Sequence, residues 1–349
     1  ETKLPFFEEG IVTRYVRAQL MWNPDVDVNT LLEDFYKNWY GPAAKPARNF
    51  WESIEECLLE TPLLGHEDRI LPFVYTPQLI DRLEEYVSEA ERLANTDVIR
   101  THVLVDRLTL EHLKAYMAMK DAEFNAKWSE AVKYADRMIG CRLALNKISP
   151  FLAMPPSLVA RERYYSGDSY FGVLKRKMLY QKLDGMTNGE TGLLVSLAPK
   201  NVKFAIDEYG LGKHFRWYLP VFDKSKWKLI DTTKPFYIQG YLSSDGMPYM
   251  GKMWYVFDLD VPKNFAGKQM KLYAPFVTCE AWVWVNGQYA GHRKYLEAYI
   301  SPAEIDMDIT SFVKPGEKNT IAVWVSTGLS PAQAADGFLG RLFLYSPVK

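Results

Sequence analysis

Several things are scarce in this chain of 349 residues, and each scarcity excludes a class of protein. Only three cysteines are present, Cys57, Cys141 and Cys279; an odd number cannot all pair, and they are far apart. With no CxxC spacing and no Cys/His cluster, a structural zinc site has no ligand set. The five histidines form neither an HExxH motif nor an i,i+4 pair. Charge of one sign is missing too: 42 basic and 43 acidic residues leave a formal net charge of -1. A nucleic-acid partner would require a clustered basic surface, so none is expected. No apolar run is long enough to suggest a membrane-spanning helix. Calcium needs six to eight oxygen ligands, and no contiguous loop motif supplies them, so cofactors are expected to be none, with calcium left open.

Aromatic residues, by contrast, are abundant: 14% of the chain, with 10 Trp and 22 Tyr. Sugar-binding proteins are rich in them because the C–H faces of pyranose rings pack on indole and phenol. Large β-sandwich cores are rich in them as well, so the count alone decides nothing. The length exceeds a usual single core and favours more than one domain.

Along the first 150 residues, apolar side chains recur every three or four positions, the spacing of helices. Thr30 is the expected N-cap of a helix over Leu31–Tyr40, whose stripe is Leu31, Leu32, Phe35, Tyr36 and Trp39, and Gly41 stops it. A second helix is expected over Ala43–Leu59. Thr76-Pro77 opens a third, with Leu79, Ile80, Leu83, Val87, Ala90, Leu93 and Ala94 on one side. Two more, about Val98–Met119 and Ala122–Asn146, complete a helical bundle over 1–150 with short connections. Residues 151–192 read as a packed connector with a helix near Tyr170–Lys182.

After Gly192 the period becomes two. Leu193–Leu197, Met253–Val261, Met270–Tyr273, Ala281–Val285, Thr320–Ser326 and Arg341–Tyr345 are expected strands, separated by Gly, Pro and Asn-Gly turns. Strands at this spacing without intervening helices mean a sandwich or barrel over 193–349. The fold class is therefore multidomain, α then β.

Particular phrases narrow this further. Gly251-Lys252-Met253-Trp254-Tyr255 leads through Phe257-Asp258-Leu259-Asp260 to Val261-Pro262. Then come Ala281-Trp282-Val283-Trp284-Val285-Asn286-Gly287, Gly291-His292, Asp308-Ile309-Thr310, Lys314-Pro315-Gly316 and Asn319-Thr320-Ile321-Ala322-Val323. With Trp227 and Gln239-Gly240-Tyr241 as lead-in, this order over about 195–349 resembles the sugar-binding, galactose-binding-like jelly roll of the β-galactosidase and β-glucuronidase family. A second phrase, Tyr15 to Asp25 with Leu20-Met21-Trp22-Asn23-Pro24, followed by Phe35 and Trp39-Tyr40-Gly41, resembles a segment of large bacterial glycosidase-like proteins. There it follows an α-glucuronidase-like or hexosaminidase-like (β/α)₈ barrel, a unit of about 250 residues.

The resemblance implies the non-catalytic C-terminal part of a secreted or periplasmic bacterial glycoside hydrolase acting on polysaccharide. The jelly roll would bind or position carbohydrate, and the helices would buttress a catalytic barrel expected upstream of Glu1. A free-standing carbohydrate-binding protein and a purely structural or oligomerising module remain as alternatives. Whether this chain is itself an enzyme stays open.

No carboxylate pair here is expected to be catalytic. Glycosidases set two carboxyl groups about 5–5.5 Å or about 6.5–9.5 Å apart across the scissile bond. Asp258 and Asp260 alternate with an apolar face of Met253, Tyr255, Phe257, Leu259 and Val261, so they point to solvent. Asp306 and Asp308 are expected at a turn, with Asp308 on local backbone N–H groups. Glu55-Glu56 and Glu84-Glu85 read as helix-surface acids.

The binding candidates are aromatic. Trp282 and Trp284 share one strand face and Trp324 the corresponding face of another, so paired strands would set the three indoles in one outward platform. That platform either stacks a saccharide or is covered by the helical domain, and exposed apolar area of this size favours the cover. The loop after Asn286-Gly287 offers His292, Arg293, Glu297 and Tyr299, although Lys294 to Tyr299 replaces the glycine-rich stretch usual in the family. Trp22 either lines a subsite at the end of the upstream barrel or packs against the helices.

Overall fold

The computed structural model describes residues 11–63, 67–153, 173–277, 279–296, 304–327 and 337–348. Its elements run helices first and then antiparallel sheets. Two compact units divide the described residues. One holds those up to Asp121 and those from Glu130 to Met178; the other holds Ala122–Ser129 and everything from Leu179 onward.

The helical unit begins with α1 (Ile11–Trp22), α2 (Val28–Tyr40) and α3 (Ala44–Glu60). The N-cap of α2 is Asp27, not Thr30: its extended backbone (φ -65°, ψ 124°) turns the carboxylate onto the Thr30 N–H at 2.8 Å. A carboxylate at this position satisfies an orphan donor and meets the positive end of the helix, so it displaces the threonine as cap. Gly41 ends α2 at φ +48°, where its N–H bonds back to the Lys37 carbonyl. Next come α4 (Glu67–Val74) and α5 (Pro77–Leu93). Thr76 caps α5 as expected, accepting from the Leu79 N–H at 3.2 Å, with Pro77 at the first helical position. The buried side of α5 is Leu79, Leu83, Val87 and Ala90. Leu79, Leu83 and Val87 pack with Phe50 of α3 and with Leu110 of α6 (Asp97–Phe124), while Ala90 joins a cluster with Phe35, Tyr36 and Tyr40 of α2. The helix α7 (Trp128–Ile148) follows, and α8 (Val173–Asn188) belongs to this unit up to Met178 and to the second from Leu179.

Neither α1 nor α4 was expected. Among the described residues α1 buries no side chain, so it carries no strong stripe, and α4 contains Pro72. No described helix is long and apolar enough to cross a membrane.

In the second unit all strand pairs are antiparallel. One sheet has the order β1 (Gly192–Leu197), β10 (Phe343–Pro347), β5 (Lys271–Ala274), β8 (Ile305–Asp308). The other has the order β3 (Lys228–Asp231), β2 (Asn201–Ile206), β4 (Lys252–Asp260), β9 (Lys318–Ser326), β6 (Glu280–Val285), β7 (Gln288–Arg293). The six expected strands all form, within two residues. The strands β2, β3, β7 and β8 escaped the reading because they are short, polar or broken by glycine. Asp306 and Asp308 therefore lie in β8 and not at a turn. The β6–β7 hairpin turns on Asn286 (φ 52°) and Gly287 (φ 81°), both left-handed as a two-residue hairpin requires.

The corner between α6 and α7 belongs with the sheets. Its Phe124 carbonyl accepts from Arg341, its Asn125 side chain accepts from Lys200 at 2.7 Å, and Trp128 stacks near Tyr180.

Candidate functional site

The six-stranded sheet has two differently built faces. On one, Met253, Tyr255, Phe257 and Leu259 of β4 join Ile321, Val323 and Val325 of β9 and Ala281, Val283 and Val285 of β6, all buried. Alternation then places Trp254 and Val256, Trp324 and Ala322, Trp282 and Trp284 on the opposite face. Register makes a row of them: Trp254 is opposite Trp324, Trp324 opposite Trp282, and Trp282 opposite His292. Ring centroids along the row are 5.8, 4.7 and 4.7 Å apart, and Trp282 and His292 are nearly parallel at 10°. The three indoles named from sequence do share a face, with Trp254 as a fourth.

They do not form a bare platform. The segment between β2 and β3 folds over them: Tyr218 stacks on Trp284 at 5.1 Å, and Trp217 lies against Trp254 and Trp227. Asp207 anchors this cap. It is buried, and its carboxylate accepts from Trp254 Nε1 at 2.9 Å and from the Gly212 N–H at 3.0 and 3.1 Å. Gly212 must be glycine, because a Cβ there would sit 2.4 Å from Trp254 Nε1. The reason for the cap is area: an indole buries roughly 150–250 Å², and hydration of several together outweighs the cost of ordering a loop. Trp284 and Trp324 are accordingly 4% and 7% exposed.

Trp282 stays half-buried, at the margin of the cap. One step along the same face, Lys252 is opposite Ser326 and Ser326 opposite Glu280, so a polar row flanks the aromatic one. Glu280 Oε1 and His292 Nε2 are 2.7 Å apart, and Lys252 Nζ lies 5.0 Å from the Trp324 ring centroid. An aromatic floor edged by an ammonium, a hydroxyl, a carboxylate and an imidazole suits a ligand with apolar C–H faces and many hydroxyls. Lys252, Ser326 and Glu280 were not among the sequence candidates. The signal that finds them is the period of two: each lies two residues from a tryptophan of the row.

The remaining candidates fall elsewhere. Arg293 alternates with His292 and turns away; its guanidinium donates to the carbonyls of Val277, Cys279 and Lys294, and burial lowers its pKa. It fastens the strand end and is not free for a ligand. Glu297 and Tyr299 lie outside the described residues. Trp22 ends α1 at 90% exposure and does not pack against the helices. Nor does it line the groove of about 460 Å³ between α1, α2 and α3, whose walls include Val16, Leu32, Tyr36, Trp51 and Leu58.

The acids behave as local structure. Asp258 is exposed and accepts from Thr320 Oγ1 at 2.8 Å. Asp308 accepts from the Thr310 hydroxyl and N–H and from Gln269, which hold its carboxyl below the usual range. Asp306 accepts from Tyr345 and pairs with Lys271. Glu84 pairs with Arg107 and Lys114. Among the described residues no group of three or more His, Cys, Asp or Glu is placed to hold a metal ion, and all three thiols are free.

A family model matches residues 9–52, which span α1, α2 and the start of α3; it is described as DUF4838, a domain of unknown function. Among solved structures, the chain is similar to Ruminococcus gnavus β-glucuronidase in complex with D-glucaro 1,5-lactone, at 17% identity and a TM-score of 0.36, over 45% of this chain and 29% of that one. The complex of that enzyme with D-glucuronic acid gives 16%, 0.36, 45% and 30%. Its apo structure gives 17%, 0.37, 45% and 29%. The matched part is thus less than a third of the enzyme's length.

Proposed function

We propose that this chain is the non-catalytic C-terminal part of a glycoside hydrolase acting on polysaccharide, and that its β unit is a galactose-binding-like jelly roll that binds or positions carbohydrate. The protein would work outside the cytoplasm, secreted or periplasmic, with a catalytic barrel of the same polypeptide as its partner. The ordered phrases between Gly251 and Val323 support the fold assignment, together with the two antiparallel sheets. The observation that carries the binding role is Trp282. It is the indole of the row that the cap leaves part-open, with Ser326, Glu280, His292 and Lys252 around it.

In this reading a pyranose ring lies along the Trp282 edge of the row, its C–H face on indole, and its hydroxyls exchange hydrogen bonds with Glu280, Ser326 and Lys252. Stacking of this kind contributes about 0.5–1.5 kcal/mol beyond the area it buries. Trp282→Ala should therefore weaken binding about tenfold or more in isothermal titration against a glycan panel. Trp282 packs on Trp324 and His292, so the variant loses some stability, and a circular dichroism spectrum and cooperative melt like the wild type's establish that it is folded at the titration temperature. Saturable binding that Trp282→Ala leaves untouched would move the site elsewhere, and silence across the panel would remove the carbohydrate role.

A further inference from the structure

Beyond the Trp282 site, the cap itself is built in two layers of opposite character. Its base is heavily determined. Asp207 holds the Gly212 N–H and the Trp254 indole, Trp217 and Tyr218 insert into the aromatic cluster, and Lys224 Nζ donates to the Leu219 and Phe222 carbonyls at 2.7 and 3.2 Å. Its tip is bare. Tyr209 is 79% and Phe215 56% exposed, and Lys213, His214 and Arg216 are exposed beside them. Arg216 is held at φ +56°, a conformation unfavourable for a side chain with a Cβ, and it persists because Trp217 on its C-terminal side is locked down. A rigid base that presents two aromatic rings and several cations is not what a solvated loop needs.

The charges at the tip are also unneutralised. In the helical unit Arg107 pairs with Glu84 and Glu91, and Lys114 with Glu84. Among the described residues no carboxylate forms an ion pair with Lys213, Arg216 or Lys252; the exposed acids of the cap are Glu208 and Asp223. Lys252 links the tip to the Trp282 site. Its Nζ lies 3.0 Å from where a Cβ on Gly210 would be and 5.0 Å from the Trp324 ring centroid. Lys252 thus lies between the chain at Gly210, within the tip, and Trp324, whose ring neighbours the part-open Trp282 along the same line.

We infer that this line is a binding track for an anionic polysaccharide, a polymer whose residues carry carboxylate or sulfate groups. The inference rests on the carbohydrate reading of Trp282 and deepens it by naming the charge class. The anionic groups lie against Lys213, Arg216 and Lys252, and the sugar faces lie on Phe215, Tyr209 and Trp282. Guanidinium and ammonium groups at exposed positions attract such a chain over roughly the Debye length, so affinity falls as salt rises.

The test uses affinity electrophoresis and isothermal titration of the whole chain against matched pairs. These are polygalacturonate and chondroitin sulfate, each beside its carboxyl-reduced or desulfated counterpart. The wild type should bind an anionic polymer and lose about tenfold in affinity on going to its neutral counterpart. Lys213→Ala/Arg216→Ala should show the same loss on the anionic polymer and no change on the neutral one, whereas Trp282→Ala weakens both. Both tip residues are exposed, and an unchanged melting temperature confirms the fold. Equal binding of both members of every pair, untouched by the tip substitutions, overturns the inference and leaves the carbohydrate reading standing. Loss of every polymer interaction overturns both. Binding confined to vesicles of phosphatidylserine and phosphatidylcholine, with none to the polymers, reassigns the tip to a membrane surface.

Discussion

Asp106 offers the sharpest test of the helical unit, because its energetics can be worked from the structure. It sits on α6 at 1% exposure; its Oδ1 accepts from the Tyr40 hydroxyl at 3.0 Å and from Trp51 Nε1 at 3.1 Å. Its Oδ2 is buried and has no hydrogen-bond partner among the described residues. Burial pushes the carboxyl up to about 8, a rise only partly opposed by those two donors. A carboxyl with a raised folded pKa contributes stability below its unfolded value near 3.8, and that contribution is lost as pH rises through about 8. The slope is about 1.4 kcal/mol per pH unit while the folded state holds the extra proton. His112, buried and pushed down to about 3, has the opposite slope below its ordinary value of 6.5, where the unfolded chain takes up the proton. The two cancel between roughly pH 4 and 6.5, so the window from 6.5 to 8 isolates Asp106. Across it the wild type should lose about 1.5–2 kcal/mol that Asp106→Asn, which cannot ionise, does not lose. Urea unfolding followed by far-UV circular dichroism at half-unit pH steps measures the difference between the two proteins. Asn leaves its own amide donors unpaired, which shifts the whole curve but not its shape. Parallel curves for the two proteins across that window would refute a neutral, buried Asp106.

Two further outcomes follow from packing and charge. Gly212→Ala drives a Cβ to 2.4 Å from Trp254 Nε1 and 2.6 Å from Trp217, so the cap must lift; a cost of about 2–3 kcal/mol and freer quenching of tryptophan fluorescence by acrylamide are expected. For Glu84, burial alone would raise the carboxyl, but the hydrogen bonds from Lys114 and Arg107 outweigh it and bring it down to about 2. Its contribution is present above the ordinary value of 4.5 and is lost as pH falls toward 2. The side chain is more than a third exposed, so Glu84→Gln should cost only about 1 kcal/mol at neutral pH and nothing at pH 2, read from urea midpoints.

Much of the fold was legible because its signals are local. The Thr76-Pro77 start, the Leu79 to Ala90 stripe and the hairpin turn at Asn286-Gly287 each follow from what a few neighbouring residues can do. The cap of α2 was misassigned within three residues, since Asp27 and Thr30 are both good caps and only backbone conformation selects between them. β7 and β8 went unread for a different reason. Their stability comes from partners across the sheet, and at Gly291 in β7 a Cβ would lie 2.7 Å from the flexible Met307 sulfur of β8, a long-range contact that no local pattern shows.

The candidate site divides along the same line. Sequence alone determined that Trp282, Trp284 and Trp324 share a face, because side chains alternate along a strand whatever else the protein does. It also determined that Asp258 points outward and that Thr76 begins a helix. Only the tertiary structure decided that the chain between Asp207 and Trp227 closes over most of that face, that Trp282 remains part-open, and that Lys252, Ser326 and Glu280 line up beside it. Register between strands and the docking of a loop depend on residues far apart in the chain, and their energy comes from burying indole area that no single segment can bury by itself.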